Sequence, residues 1–155
     1  MKNLKIWSLA VVLLMALVGC DKNPDDGGKK PQPSAGFDGI EKEWKLVSVN
    51  DAPADFNVYI QFESGMFAMY QQVYSIDYKF YEGEYEINGN TLSGSYFDDG
   101  DWRCDYTGGT SSDGKSLILT SVEENPVKCV YEECTIPQEV KDEALTRAVE
   151  VTPFL

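Results

Sequence analysis

The side chains able to do chemistry are four cysteines, 26 carboxylates and nineteen aromatic rings, and the chain has no histidine. Without histidine there is no Ser-His-Asp or Cys-His pair to activate a nucleophile, and no His-ligated zinc. Cys20 belongs to the N-terminal address described below, which leaves Cys104, Cys129 and Cys134. Three thiols cannot all pair within one chain, so one is left over. On a continuous strand at about 3.3 Å per residue, Cys129 and Cys134 stand roughly 16 Å apart. A disulfide needs Cα atoms within about 7 Å. These two join only across a bulge or turn near Glu132-Glu133, and Cys104 suits either as a partner. The run Asp98-Asp99-Gly100-Asp101 lacks the alternating ligands and closing Glu of a calcium loop, and reads as a solvated hairpin turn. Nothing singles out a carboxylate pair for glycoside cleavage among the 26 acids. The expectation is a protein without catalytic residues, metal or cofactor.

The aromatic rings are the remaining resource. Fourteen of them lie between Phe56 and Tyr106. In a small barrel, inward rings either fill the interior or line a cavity for one small ligand. Tyrosine suits a cavity, because its hydroxyl gives an apolar pocket a polar handle. Phe67, Met69, Tyr85, Tyr96, Trp102 and Tyr106 are the candidate lining. The competing reading is that these same rings are the core, or pair across strands on the outer face.

These side chains need elements to position them. From Trp44 to Ile136 short apolar runs alternate with turn residues. The expected strands are 44–50, 57–63, 66–71, 78–88, 91–97, 101–107, 116–122 and 128–136. Ser64-Gly65, Asn88-Gly89-Asn90 and Asp113-Gly114 supply the positive φ that tight hairpins require. Trp102, Cys104 and Tyr106 alternate with Asp101, Arg103 and Asp105. Leu92, Gly94 and Tyr96 alternate with Thr91, Ser93 and Ser95. Period-two order puts one face on a core and the other in water. The pattern predicts an all-β fold, an antiparallel up-and-down barrel of about eight strands, which also removes exposed edges. A two-sheet sandwich gives a similar pattern. After the strands, Thr135 to Gln138 has capping-box spacing, with Pro137 in the first turn. Val140, Ala144 and Ala148 recur every four residues, predicting a C-terminal α-helix over 139–150. It is expected to pack on the barrel's outside or to close one end.

The N-terminal segment is an address. Lys2 and Lys5 precede an almost wholly apolar run, Ile6 to Val18. That is too short for a span of about 20 residues, and is laid out as a secretory signal. Leu17-Val18-Gly19-Cys20 resembles the bacterial lipoprotein box, with cleavage before Cys20 and lipid attached to its sulfur. Residues 1–19 are then a lipoprotein signal peptide. Residues 20–38 are the lipidated Cys20 and a flexible tether rich in Pro and Gly, and 39–155 the barrel with its helix. The expected location is the outer membrane, lipid-anchored, on its periplasmic face or at the cell surface. The formal charge is −13; residues 1–19 hold two lysines and no acid, so the remainder carries eleven bases against 26 acids, or −15. Such a charge excludes nucleic acid, which needs clustered Lys and Arg. It also favours a soluble monomer.

A family resemblance rests on particular runs. Trp44-Lys45-Leu46-Val47-Ser48-Val49-Asn50 opens the domain. Gly83-Glu84-Tyr85-Glu86-Ile87 and Gly89-Asn90-Thr91-Leu92-Ser93-Gly94-Ser95-Tyr96 follow. Asp113-Gly114-Lys115-Ser116-Leu117-Ile118-Leu119-Thr120 comes next, and Cys134-Thr135-Ile136-Pro137 ends the strands. In order and spacing, over about residues 40–145, this resembles the small lipocalin-like lipoproteins of gram-negative gut bacteria. The resemblance implies a calycin-type barrel and export, and specifies no ligand. Lipocalins carry Gly-x-Trp at the first strand where this sequence has Lys42-Glu43-Trp44, which places Trp44 at the barrel's closed end. Two functions fit such a chain. One is a barrel that binds a small apolar or amphipathic ligand. The other is a protein-interaction module with a filled barrel, an inhibitor or accessory subunit of an envelope complex.

Overall fold

Gly65, Gly89 and Gly114 adopt φ of 79°, 64° and 68° and reverse the chain between consecutive strands. The structure, a computed structural model, describes residues 36–73, 75–98, 100–144 and 152–155. Its strands are β1 (Glu43–Val49), β2 (Ala52–Pro53), β3 (Asn57–Glu63), β4 (Met66–Gln72), β5 (Lys79–Asn88), β6 (Thr91–Tyr96), β7 (Gly100–Asp101), β8 (Tyr106–Thr110), β9 (Ser116–Ser121) and β10 (Lys128–Glu133). A helix, α1 (Gln138–Ala144), follows. The signal segment, Cys20 and the tether up to residue 35 lie outside the described residues, as do residues 145–150 of the expected helix.

The strands pair antiparallel in the order β10-β9-β8-β6-β5-β4-β3-β1, and β1 pairs back onto β10. Eight strands thus form a ring, which rules out the sandwich; β2 and β7 are two-residue attachments to β1 and β6. Closure depends on β1. Its register against β10 shifts between Leu46 and Ser48. Such a bulge bends the strand, letting β1 hold β3 with residues 43–45 and β10 along most of its length.

One stretch of the wall differs from expectation. The segment 101–107 alternates as a strand would, and its burial does alternate: Trp102 and Tyr106 are buried, Asp101, Arg103 and Asp105 exposed. Ladder pairing, however, resumes only at Tyr106. The β6–β8 seam holds two residue pairs, Thr91↔Thr107 and Leu92↔Tyr106. The reason is Trp102. Its backbone N–H donates to the Gly94 carbonyl at 2.8 Å. Its indole lies so close that a Cβ at Gly94 would stand 2.5 Å from the ring. The strand then continues through Gly108 and Gly109, at φ of 137° and 151°, where a sequence reading expects a break.

Alternation fills the interior. Val58, Ile60 and Phe62 of β3 are at most 1% exposed, and Phe67 and Met69 of β4 at most 2%. Burying one such side chain stabilises the fold by about 1.5–3 kcal/mol. Trp44, fully buried, seals one end, its Nε1 donating to the Ile40 carbonyl at 2.8 Å. The folded unit reaches back beyond the boundary drawn at residue 38. Phe37 is buried in the same cluster, and the Thr110 N–H donates to the Gly36 carbonyl at 3.1 Å. The one apolar ring in that polar stretch draws the chain in. Helix α1 lies on the outer wall, Val140 and Ala144 packing with Ile136 on Tyr59 and Tyr70. Lys141 Nζ bonds Glu43 Oε1 at 2.7 Å, and Glu43 Oε2 accepts from the Ile136 N–H at 2.7 Å. The hydrogen bond to Glu43 raises the Lys141 pKa above its ordinary value.

Candidate functional site

The end opposite Trp44 is the barrel's mouth. There alternation delivers polar groups inward. Phe67, Met69 and Gln71 share one face of β4, and across the ladder stand Gly83, Tyr81 and Lys79 of β5. Gln71 is 0% exposed and Lys79 3%. As directly opposed residues their Cβ atoms lie about 5 Å apart.

Residues 152–155 enter this mouth. Gln71 Nε2 donates to the Thr152 carbonyl at 3.0 Å, and the Phe154 N–H donates to Gln71 Oε1 at 2.7 Å. Tyr96 Oη donates to the Leu155 oxygen at 3.0 Å. The Phe154 ring packs on Phe56, centroids 5.6 Å apart. Leu155 is 2% exposed, inside the main core cluster. Beside this segment a cavity of about 270 Å³ remains, lined by Val49, Phe56, Val73, Tyr106 and Cys129 with Thr152, Pro153 and Phe154.

Among the described residues, three buried polar atoms have no hydrogen-bond partner: Lys79 Nζ, Trp102 Nε1 and Tyr131 Oη. Each unmet buried group costs about 1–3 kcal/mol. The surroundings are apolar enough to suppress ionisation. Burial pushes the Cys129 thiol up to about 11, and the Tyr106 and Tyr131 hydroxyls well above the usual tyrosine range. A thiol held protonated in this way is no nucleophile at neutral pH.

The six candidate residues divide. Phe67, Met69, Tyr96, Trp102 and Tyr106 are buried together in one cluster, Phe67 edge-on to Trp102 at 5.0 Å and Trp102 to Tyr106 at 5.9 Å. Of the six, Tyr106 alone borders the mouth cavity. Phe67 and Met69 act as packing, because strand alternation drives them into the closed interior. Tyr85 stands apart, half-buried, edge-on to Phe62 with its hydroxyl on Glu41 Oε1 at 3.5 Å. Tyr85 and Trp102 border a second recess, of about 520 Å³, in the wall beside β6. Glu84, Glu86, Asp101 and Asp105 make that recess acidic. No group of three or more His, Cys, Asp and Glu among the described residues is placed to hold a metal ion. Strand β10 runs unbroken between Cys129 and Cys134, with Cys129 inside the barrel and Cys134 against the outer cluster.

Sequence reasoning missed Gln71, Lys79, Phe154 and Leu155. The first two were within reach. Period-two counting from Met69 places Gln71 inward, and counting from Tyr81 places Lys79 inward. A polar residue at an inward position was the available signal. The last two carry no local signal, since their contact lies 83 residues from Gln71 in the chain.

Comparison with known proteins follows the same lines. The family model of the lipocalin-like domain matches residues 40–125. A crystal structure of a lipocalin-like protein from Bacteroides uniformis superposes with a TM-score of 0.50 at 17% identity. It covers 62% of this chain and 99% of that one. No curated protein matches. With the closed eight-strand ring and a family match across more than half its length, the chain belongs to the lipocalin-like domain family.

Proposed function

We propose that this protein is a carrier and not an enzyme: an exported barrel, lipid-anchored through Cys20 at the outer membrane, that takes one small apolar or amphipathic molecule into its interior. One observation carries the reading. Lys79 Nζ, Trp102 Nε1 and Tyr131 Oη are buried inside an aromatic-walled barrel without hydrogen-bond partners among the described residues. Buried polar atoms are normally satisfied, and a ligand whose polar groups reach past the mouth cavity, which none of these three residues lines, would satisfy them. The cavity of about 270 Å³ sits just below the usual range for small-molecule sites, about 300–1,000 Å³. It widens if Thr152, Pro153 and Phe154, which line it, move. The absence of histidine and the protonated Cys129 speak against a nucleophilic mechanism.

Native mass spectrometry tests the reading on protein released from its own envelope by cleavage within residues 21–35, without detergent. A reproducible added mass of a small molecule is expected. A bare mass, with a second protein co-purifying, would replace the carrier by an envelope-protein interaction module.

A further inference from the structure

The segment Thr152–Leu155 is bound to the barrel as a peptide ligand is bound. Gln71 uses both atoms of its amide on it, donating to the Thr152 carbonyl and accepting from the Phe154 N–H. This is the exchange one strand makes with another, performed by a side chain. Tyr96 adds a third hydrogen bond at the Leu155 oxygen. Apolar specificity comes from two places, Phe56 under the Phe154 ring and the buried site of Leu155. Gln71 is fully buried and commits both atoms of its amide to this segment, so the segment's departure would leave a donor and an acceptor to be met by whatever replaces it. Leu155 apart, the segment is only loosely covered. Thr152 is exposed, Pro153 and Phe154 are half-buried, and all three line the cavity of about 270 Å³.

We propose that the barrel mouth is a recognition site for an extended apolar peptide, that Thr152–Leu155 is its resident occupant, and that any other interior ligand enters by displacing it. The peptide site stands on its own contacts; competition with a small molecule rests on the carrier reading above. The arrangement makes the apparent affinity for an outside ligand depend on how often the segment is out. If it is seated nine-tenths of the time, affinity falls about tenfold.

The test uses the full chain, unaltered and with Phe154→Ser plus Leu155→Ser. The probe is the fluorophore anilinonaphthalene sulfonate, and the competitor is the blocked peptide acetyl-Thr-Pro-Phe-Leu-amide. Near-ultraviolet circular dichroism checks that both chains are folded. The double variant is expected to bind probe about tenfold more tightly. The peptide should displace probe from it, and Gln71→Leu added to the variant should weaken peptide binding, read by calorimetry, by a larger factor than it weakens probe binding. Equal probe affinity in the two chains, or a peptide that neither displaces probe nor binds by calorimetry, overturns the proposal. Should no probe bind either chain, the small-molecule reading falls, and peptide calorimetry on the variant still decides this one. Should the variant not fold, hydrogen exchange in the unaltered chain decides. The Phe154 amide, donor to Gln71, is expected to be protected, and an amide exchanging as free chain overturns the proposal.

Discussion

Lys79→Met should make this protein more stable, contrary to the usual effect of changing a buried residue. Lys79 is 3% exposed, and its ammonium has no hydrogen-bond partner among the described residues. Relieving one unmet buried polar group is worth about 1–3 kcal/mol. Methionine keeps the length and apolar stem, and such volume-conserving exchanges cost less than about 1.5 kcal/mol. The expected net gain is about 1–2 kcal/mol, or a rise in Tm of about 3–8 °C for a domain of this size. Urea unfolding of the full chain, followed by tryptophan fluorescence, reads it as a higher midpoint at unchanged slope. Met69→Ala is the control: Met69 is 0% exposed on the same face of β4, and truncation there should cost about 2–5 kcal/mol. If Lys79 serves the proposed carrier site, the stabilised variant should at the same time bind anionic amphiphiles more weakly. A Lys79→Met chain that is less stable by 1 kcal/mol or more would refute the reasoning: the ammonium would then have a partner within the fold and would not be held for a ligand.

Two further outcomes follow from the wall and the interior. Gly94→Val places side-chain carbon where the Trp102 indole now lies, since even a Cβ would stand 2.5 Å from that ring. Trp102 should be expelled, visible as red-shifted fluorescence and lost near-ultraviolet dichroism, and an unchanged spectrum would mean the ring is not seated there. Burial raises the Cys129 thiol from an ordinary 9.0 to about 11, so the folded state holds that proton more tightly than the unfolded chain. The preference stabilises the fold fully below pH 9 and is lost as pH rises through about 11, a loss on the order of 3 kcal/mol. The urea midpoint should fall over that interval, less steeply in Cys129→Val, and identical profiles would show that Cys129 does not contribute.

Most of the fold was legible because its causes are local. Alternation and Gly-containing turns set β3, β4, β5 and β6 to within a residue or two of their expected bounds. The stretch after Gly100 was misread for an equally local reason. Asp101 to Tyr106 alternate in polarity, but the pleat is broken where Trp102 lies across Gly94. Gly108-Gly109, which looks like a turn, is a strand, where a Cβ at Gly108 would stand 2.1 Å from the Ile118 carbonyl oxygen. Composition cannot distinguish a glycine that turns the chain from one that admits a neighbouring backbone. Period-two counting likewise cannot separate a ring that lines a cavity from one that fills it. Phe67 and Tyr106 have the same inward signal, yet only Tyr106 borders the mouth cavity.

The mouth was illegible because chain order hides it, and its composition is what the proposed site rests on. Across the middle of the barrel every level of the sequence agrees: Val58, Ile60, Phe62, Phe67 and Met69 are apolar, inward and packed. At the mouth that agreement fails. The strand pattern calls for an apolar pair opposite one another on β4 and β5, and Gln71 and Lys79 stand there instead. Among the described residues, Gln71 recovers its cost through a segment 81–83 residues further along the chain, and Lys79 finds no partner. A barrel selected for stability alone has no use for either residue, since two apolar side chains would satisfy both strands. Sequence rules broken at one end of an otherwise consistent fold are where the proposed site would set binding against stability.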